Sequence, residues 1–351
     1  MNLPKITIIT PSFNQGNFIE ETIDSVLSQN YPNIEHIIID GKSTDNTVEI
    51  IKKHEKYITY WESSTDKGQS EAINKGMRKA TGDILTWINS DDMLTENSLE
   101  MAANYFLEKP TISLIHGKTK TFGEGYEDQL TAGFYSDLSI DYFTHMCFPQ
   151  PSSFFKREII ENQSYHANGN KNLVDESLHY CMDYDLLLRI VLNYDVLKVD
   201  ELFSAYRLHP KSKTVSDWNK FEVEKDKIFL RLLNTLKHSI KDEEAKKGIQ
   251  FLKELGIKSD EKAEGNKIYN FDAQIVSKID LEKIIQMFLY RKIPVLFEEK
   301  EYETVVLYCE ALQKSYPNFY ASINLDSMYQ TSKYNSLSSL GKLGWKVRKL
   351  I

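Results

Sequence analysis

The sequence predicts an α/β fold: a mostly parallel sheet flanked by helices, followed by an α-helical C-terminal region. Three observations predict it. Over residues 1–116 short β-branched runs alternate with helix-spaced apolar patterns, as successive βαβ units require. The polar residues that interrupt this alternation fall at the carboxyl ends of the strands, where open sheets of this kind bind ligands. Beyond Ser216 the strand-like runs cease and long helical patterns joined by charged linkers take over.

Residues 5–10 (KITIIT) are short and β-branched, which reads as a buried strand. Asn17 then reads as a helix cap, with Glu20 completing a capping box. Phe18, Ile19, Thr22, Ile23, Val26 and Leu27 follow at helical spacing, up to Asn30-Tyr31-Pro32. A strand is expected over 34–40, then a helix from about Asp45 carrying Val48, Ile50 and Ile51. Next come a strand over 57–61, a helix over 70–79 and a strand over 84–88. Thr95 reads as the cap of a helix ending before Pro110, ahead of a strand over 112–116. Residues 117–215 are turn-rich and aromatic, with one clear helix over 183–192. Helices are expected over 221–236, 281–292 and 298–313. The chain thus divides near Ser216 into residues 1–215, with halves at 1–116 and 117–215, and an extension at 216–351.

Composition narrows the function classes. With 41% apolar and 27% charged residues in 351, this is an ordinary folded chain rather than a disordered one. Forty-three basic against fifty-one acidic residues give a net charge of -8, opposite to that of a dedicated nucleic-acid binder. No apolar run is long enough to span a bilayer, and Met1-Asn2-Leu3-Pro4-Lys5 lacks the layout of a signal peptide. Cys147, Cys181 and Cys309 are scattered and odd in number, so a cytoplasmic protein without a disulfide framework or zinc site is expected. After Asp326 there is no acidic residue, and Leu340, Leu343, Val347 and Leu350 face away from Lys342, Lys346 and Lys349 on a helical wheel. That pattern predicts peripheral contact of residues 333–351 with an anionic membrane, at the inner face of the cytoplasmic membrane. A terminal helix docked on the protein's own core is the alternative.

Candidate chemistry lies at the strand ends. Asn89-Ser90-Asp91-Asp92 follows an apolar run, and two adjacent carboxylates there call for a hard divalent cation, Mg²⁺ or Mn²⁺; a turn leading into a helix is the plainer reading. Asp40-Gly41 and Asp66-Lys67-Gly68-Gln69-Ser70 are polar loops, the second able to turn backbone amides toward an anion. No glycine-rich phosphate loop of the P-loop kind is present. Asp183 stands at a helix start, as a cap or as a catalytic base, and His209 is a loop histidine or a ligand.

Together these residues resemble the family 2 glycosyltransferases. The resemblance rests on Thr10-Pro11-Ser12-Phe13-Asn14, Asp40-Gly41, Ser43-Thr44-Asp45-Asn46-Thr47 and Gly82-Asp83-Ile84 through Asp92. Asp66 through Gly76, Gln150-Pro151-Ser152-Ser153-Phe154-Phe155, Asp183-Tyr184-Asp185-Leu186 and Arg207-Leu208-His209 look like the subgroup that makes bacterial surface polysaccharides. The resemblance covers about residues 4–215 and implies the GT-A fold, with 1–116 as the nucleotide-sugar half and 117–215 as the acceptor half. It implies a nucleotide-sugar donor, UDP-linked by expectation, and a glycan or lipid-linked glycan acceptor.

Carried over to this sequence, the resemblance makes Thr10, Pro11, Ser12, Asn14, Asp40, Asp66, Gly68, Gln69, Asn74, Asn89, Ser90 and Asp91 the nucleotide and donor site. Asp91, Asp92 and His209 are expected to hold Mn²⁺ or Mg²⁺, Gln150 to lie on the acceptor side, and Asp183 to be the base of an inverting displacement. Asn89 departs from the aspartate often found there, and Met182 replaces the acidic residue that usually precedes the base. Those two departures motivate the alternative, a catalytically inactive nucleotide-binding or scaffolding protein on the same fold. A sugar nucleotidyltransferase would need a glycine-rich basic loop after the first strand, which is absent.

Overall fold

The computed structural model describes residues 3–132, 140–144, 148–163, 165–167, 170–216, 218–257 and 268–337. Its strands are β1 (Ile6–Ser12), β2 (Ile34–Asp40), β3 (Tyr60–Ser63), β4 (Ile84–Trp87), β5 (Met93–Leu94), β6 (Leu114–Phe122), β7 (Gln129–Ala132), β8 (Ser153–Lys156), β9 (Tyr165–Ala167), β10 (Asn170–Asn172) and β11 (Val196–Arg207). The principal sheet has the order β3-β2-β1-β4-β8-β6-β11-β5, with β7 on β6. It is parallel across β3, β2, β1 and β4, as the alternating pattern requires. Beyond β4 it is mixed, because β8 runs antiparallel to both β4 and β6 while β6 and β11 are parallel. The register puts Ser12 beside Asp40 and Asp40 beside Ser63, so the polar strand ends form one row.

The helix Ile19–Leu27 buries Ile19, Thr22, Ile23 and Val26, the spacing of one helical face. Asn17 is not its cap: the amides of Phe18 and Ile19 are taken by the Gln15 carbonyl, and Glu20 turns outward to Lys53 at 2.5 Å. Thr95 likewise does not cap the helix Ser98–Glu108. Its hydroxyl donates to the Leu202 carbonyl at 2.5 Å, and the helix starts after Asn97, whose φ of 58° is left-handed. The helix Gln69–Lys79 lies so close to β1 that a Cβ on Gly76 would sit 2.5 Å from Ile9 Cγ2.

The helices Trp218–Leu236, Asp242–Glu254, Leu281–Glu298, Tyr302–Ser315 and Asp326–Asn335 follow the last strand. One apolar cluster runs from Ile9, Ile37 and Trp87 through Leu186 and Leu187 to Phe229, Phe288 and Leu312. Ser216 therefore marks a change of secondary structure within a continuous core. Buried charge crosses the same line. Asp185, inside the helix Met182–Val191, accepts from Arg189 (3.1 Å), Arg231 (3.1 Å) and Tyr269 (2.8 Å), and Arg231 also pairs with Asp175 at 2.8 Å. Charges this deep are tolerated because each meets an opposite charge, so the network ties that helix to the C-terminal region. Of the predicted amphipathic segment, 338–351 lies outside the described residues. Lys333 is docked on Tyr329 at 3.0 Å. Among the described residues no helix is long and apolar enough to cross a membrane.

Candidate active site

Asp40, at the carboxyl end of β2, is fully buried and accepts from Ser43 N–H (2.9 Å), Ser43 Oγ (2.5 Å) and Ser63 Oγ (2.6 Å). These bonds hold the loop after β2 in place. Asp66 stands across that loop: a Cβ on Gly41 would lie 3.0 Å from its Oδ2. Asp66 accepts from the Gly68 amide at 2.9 Å, and Gly68, at φ 126°, starts the helix Gln69–Lys79. Burial, opposed by that amide and by Lys75, leaves the Asp66 carboxyl above the usual carboxylate range. Asn14, with a left-handed φ of 53°, donates its amide to Ser43 Oγ and accepts from the Thr44 amide, tying the loops after β1 and β2 together. Ser12 Oγ between them is buried with no partner.

Two expected donor ligands lie elsewhere. Thr10 is buried inside β1 with its hydroxyl on His36 Nε2 at 3.0 Å. Asn74 is fully buried and clamps both the N–H and the C=O of Val174, so it joins the helix Gln69–Lys79 to the segment after β10. Pro11 pairs with Ile39 in the body of the sheet.

After β4, Asn89 and its neighbours form a linked cluster. Asn89 Nδ2 donates to Asp92 Oδ2 at 3.1 Å and Asn89 Oδ1 accepts from Gln69 at 2.7 Å. Asp92, expected as a metal ligand, is fully buried and also accepts the Arg207 amide at 2.9 Å. Burial and the charge of Asp91 raise its proton affinity well above the usual range. Its Oδ1 thus braces β11 through Arg207 while Oδ2 is held by Asn89. Asp91 points the other way, toward His209, with Oδ2 and Nε2 3.1 Å apart. Ser90 is buried. Arg207 holds this corner together, donating to the Asp91 carbonyl (3.0 Å) and to Glu21 (2.7 Å), and Phe18 packs on the His209 ring at 4.8 Å.

Asp183 is the second residue of the helix Met182–Val191. Burial pushes its carboxyl up to about 6, against the Tyr184 amide at 2.8 Å and Lys213; Glu224 adds to the rise. It shares an apolar cavity with Gln150, Trp87, Phe148 and Leu187. Gln150 donates to the Trp87 carbonyl at 2.7 Å, which fixes its amide in the lining of that cavity. The Tyr206 phenol connects the two clusters: burial and the charges of Asp92, Asp91 and Asp183 all push its ionisation upward. Lys213 closes the ring, donating to Gln69 Oε1 at 2.9 Å and to the His179 carbonyl at 2.7 Å.

The strand ends thus bring together Asp66, Gly68, Gln69, Asn89, Asp91, His209 and Asp183, with Gln150 beside the last. Tyr206, Lys213 and Glu224 were missed by sequence reasoning. Each lies in a segment whose local pattern is an ordinary strand, loop or charged helix, so nothing local marks them. Among the described residues no group of three or more His, Cys, Asp or Glu side chains converges as a metal cage.

A mixed sheet with acidic side chains gathered at the carboxyl ends of its parallel strands is an α/β architecture of the GT-A type. Residues 7–167 match the model of glycosyl transferase family 2. It is 38% identical over 148 residues to an uncharacterized glycosyltransferase of Haemophilus influenzae, a match spanning 41% of this chain and 58% of that protein. It is 35% identical over 111 residues to the putative teichuronic acid biosynthesis glycosyltransferase TuaG of Bacillus subtilis, covering 30% of this chain and 43% of that one. The chain thus spans about half the length of these curated relatives. The crystal structure of S. aureus TarS 1-349 in complex with UDP superposes with a TM-score of 0.56 at 16% identity. The superposition covers 94% of this chain and 86% of that one, and so extends through the helical C-terminal region.

Proposed function

We propose that the protein is an inverting, metal-dependent glycosyltransferase. It moves a sugar from a UDP-linked donor to a hydroxyl of a glycan or lipid-linked glycan in bacterial surface polysaccharide synthesis. The observation that carries this reading is Asp183, a carboxylate held near neutral affinity in the lining of a small apolar cavity. A general base works best when its pKa lies near the working pH. The teichuronic acid assignment of TuaG and the UDP bound to TarS support the acceptor class and the donor.

In this reading Asp183 takes the proton of the acceptor hydroxyl as that oxygen attacks the anomeric carbon. The bond to the nucleoside diphosphate breaks on the opposite face, which inverts the centre. Asp66, Gly68, Gln69 and the loop from Ser12 to Asn14 hold the nucleotide, and Gln150 orients the acceptor. The donor set of Asp91 and His209 fits a divalent ion. Their 3.1 Å separation is close to the edge of about 3.0 Å that neighbouring ligands make at bonds of about 2.1 Å. Two protein donors leave positions for phosphate oxygens and water, the usual division for Mg²⁺. When bound there, Mg²⁺ or Mn²⁺ supplies Lewis-acid stabilisation of the charge on the leaving diphosphate.

The test is release of nucleoside diphosphate from a panel of UDP- and GDP-sugars with Mn²⁺, Mg²⁺ or chelator, alongside calorimetry of the bare nucleotides. Turnover with a UDP-sugar that needs the cation is expected. UDP binding without turnover of any donor would favour the inactive scaffold.

A further inference from the structure

Glu224 lies in the helix Trp218–Leu236, outside the stretch that resembles the family, yet it reaches the start of the Asp183 helix. Its carboxylate accepts from three consecutive backbone amides, those of His179 (2.8 Å), Tyr180 (2.9 Å) and Cys181 (2.8 Å). Cys181 immediately precedes the helix Met182–Val191. One side chain from a distant element therefore fixes the backbone that leads into Asp183, at the helix end where a negative charge is favoured. On the opposite side of that loop Lys213 donates to the His179 carbonyl, so the segment is gripped through both an N–H and a C=O. The residue preceding Asp183 is Met182, which brings no charge.

We propose that Glu224 is a positioning residue for the transfer reaction: through residues 179–181 it sets where the Asp183 carboxylate stands, and it supplies from a second helix the negative charge that Met182 lacks. This rests on Asp183 being the base. Four groups face that carboxyl. Burial dominates its raised affinity, Glu224 adds to the rise and Lys213 opposes it, while the Tyr206 phenol and the Cys181 thiol are themselves pushed upward beside it. A displacement of a reacting group by about 1 Å lowers rates by about a hundredfold, so small shifts at this loop register in kcat.

The test follows the Asp183 carboxyl by ¹³C NMR, its signal assigned by loss in Asp183→Asn, alongside donor turnover by the full chain. Glu224→Gln is expected to lower the proton affinity of Asp183 by about three- to tenfold and kcat by about tenfold. Donor KM and UDP binding should stay within about twofold. Glu224→Asp, which keeps the charge on a shorter arm, should leave the proton affinity at the wild-type value while kcat falls. An unchanged proton affinity and kcat in Glu224→Gln would overturn the proposal. So would a lower melting temperature and raised KM with the titration unmoved, the mark of a merely structural contact. If Glu224→Gln fails to fold, Glu224→Asp decides, and a displaced titration or a wild-type kcat there overturns the proposal. Full activity in Asp183→Asn would instead remove the base reading itself, whereas an inactive Asp183→Asn beside a fully active Glu224→Gln would remove this inference alone.

Discussion

Two carboxylates sunk at opposite ends of the sheet show how the fold separates scaffold from site. Glu35, at the amino end of β2, accepts from Lys5 Nζ (2.8 Å), Thr7 Oγ1 (2.6 Å), Thr81 N–H (2.6 Å) and Thr81 Oγ1 (2.5 Å). Burial alone would raise its pKa, but those four donors overcome it and hold the group down to about 2. Asp183, at the carboxyl end, has the amides of its own helix start, burial wins, and the group is held at about 6. The difference is the number of donors. Where they saturate the oxygens the carboxylate is permanently ionised and structural; where they are few, the group can gain and lose a proton near neutrality.

Asp183→Asn should sharpen that contrast most, lowering kcat by about a thousandfold with the fold intact, measured by donor turnover and thermal melting. Asp91→Asn should follow, at about a hundredfold in kcat with a raised half-saturating Mn²⁺ concentration, whereas His36→Asn, in the sheet interior, should leave the cation requirement unchanged. Glu35→Gln tests the other end. It leaves buried hydroxyl and amide donors poorly matched and should cost about 2 kcal/mol in urea unfolding while kcat stays within twofold.

The smallest effects are those of pH, and the two carboxylates have opposite signs. The Glu35 pKa is lowered on folding, so its contribution is complete above about 4.5 and is lost as pH falls toward about 2. The Asp183 pKa is raised on folding, so its burial costs stability above about 6, and that cost is relieved as pH falls toward 3.8. Urea melts across pH 2–8 on wild type and Asp183→Asn separate the two. The kcat profile should rise with unit slope through about pH 6, because only the ionised Asp183 accepts a proton.

Apolar periodicity, a local property, was enough to place β1, β2 and β4, the helices Gln69–Lys79 and Met182–Val191, and the row of polar strand ends. Caps were misread, because Asn17 and Thr95 have the right residue type while the Gln15 and Leu202 carbonyls, brought in by the fold, decide the bonding. The antiparallel insertion of β8 was likewise invisible, since strand direction depends on where the chain returns and not on which residues compose it. Asp91 and Asp92 are adjacent and chemically identical in the sequence. Only the tertiary structure turned one toward His209 and buried the other against Arg207. Glu224 carried no local signal at all, because its partners lie 43–45 residues away. Sequence by itself determined which groups the protein owns and which strand ends they ride on, because periodicity and residue chemistry are local. How strongly each group holds its proton, and which of two like neighbours faces the cleft, depend on burial and on donors from distant segments, and packing alone decided them.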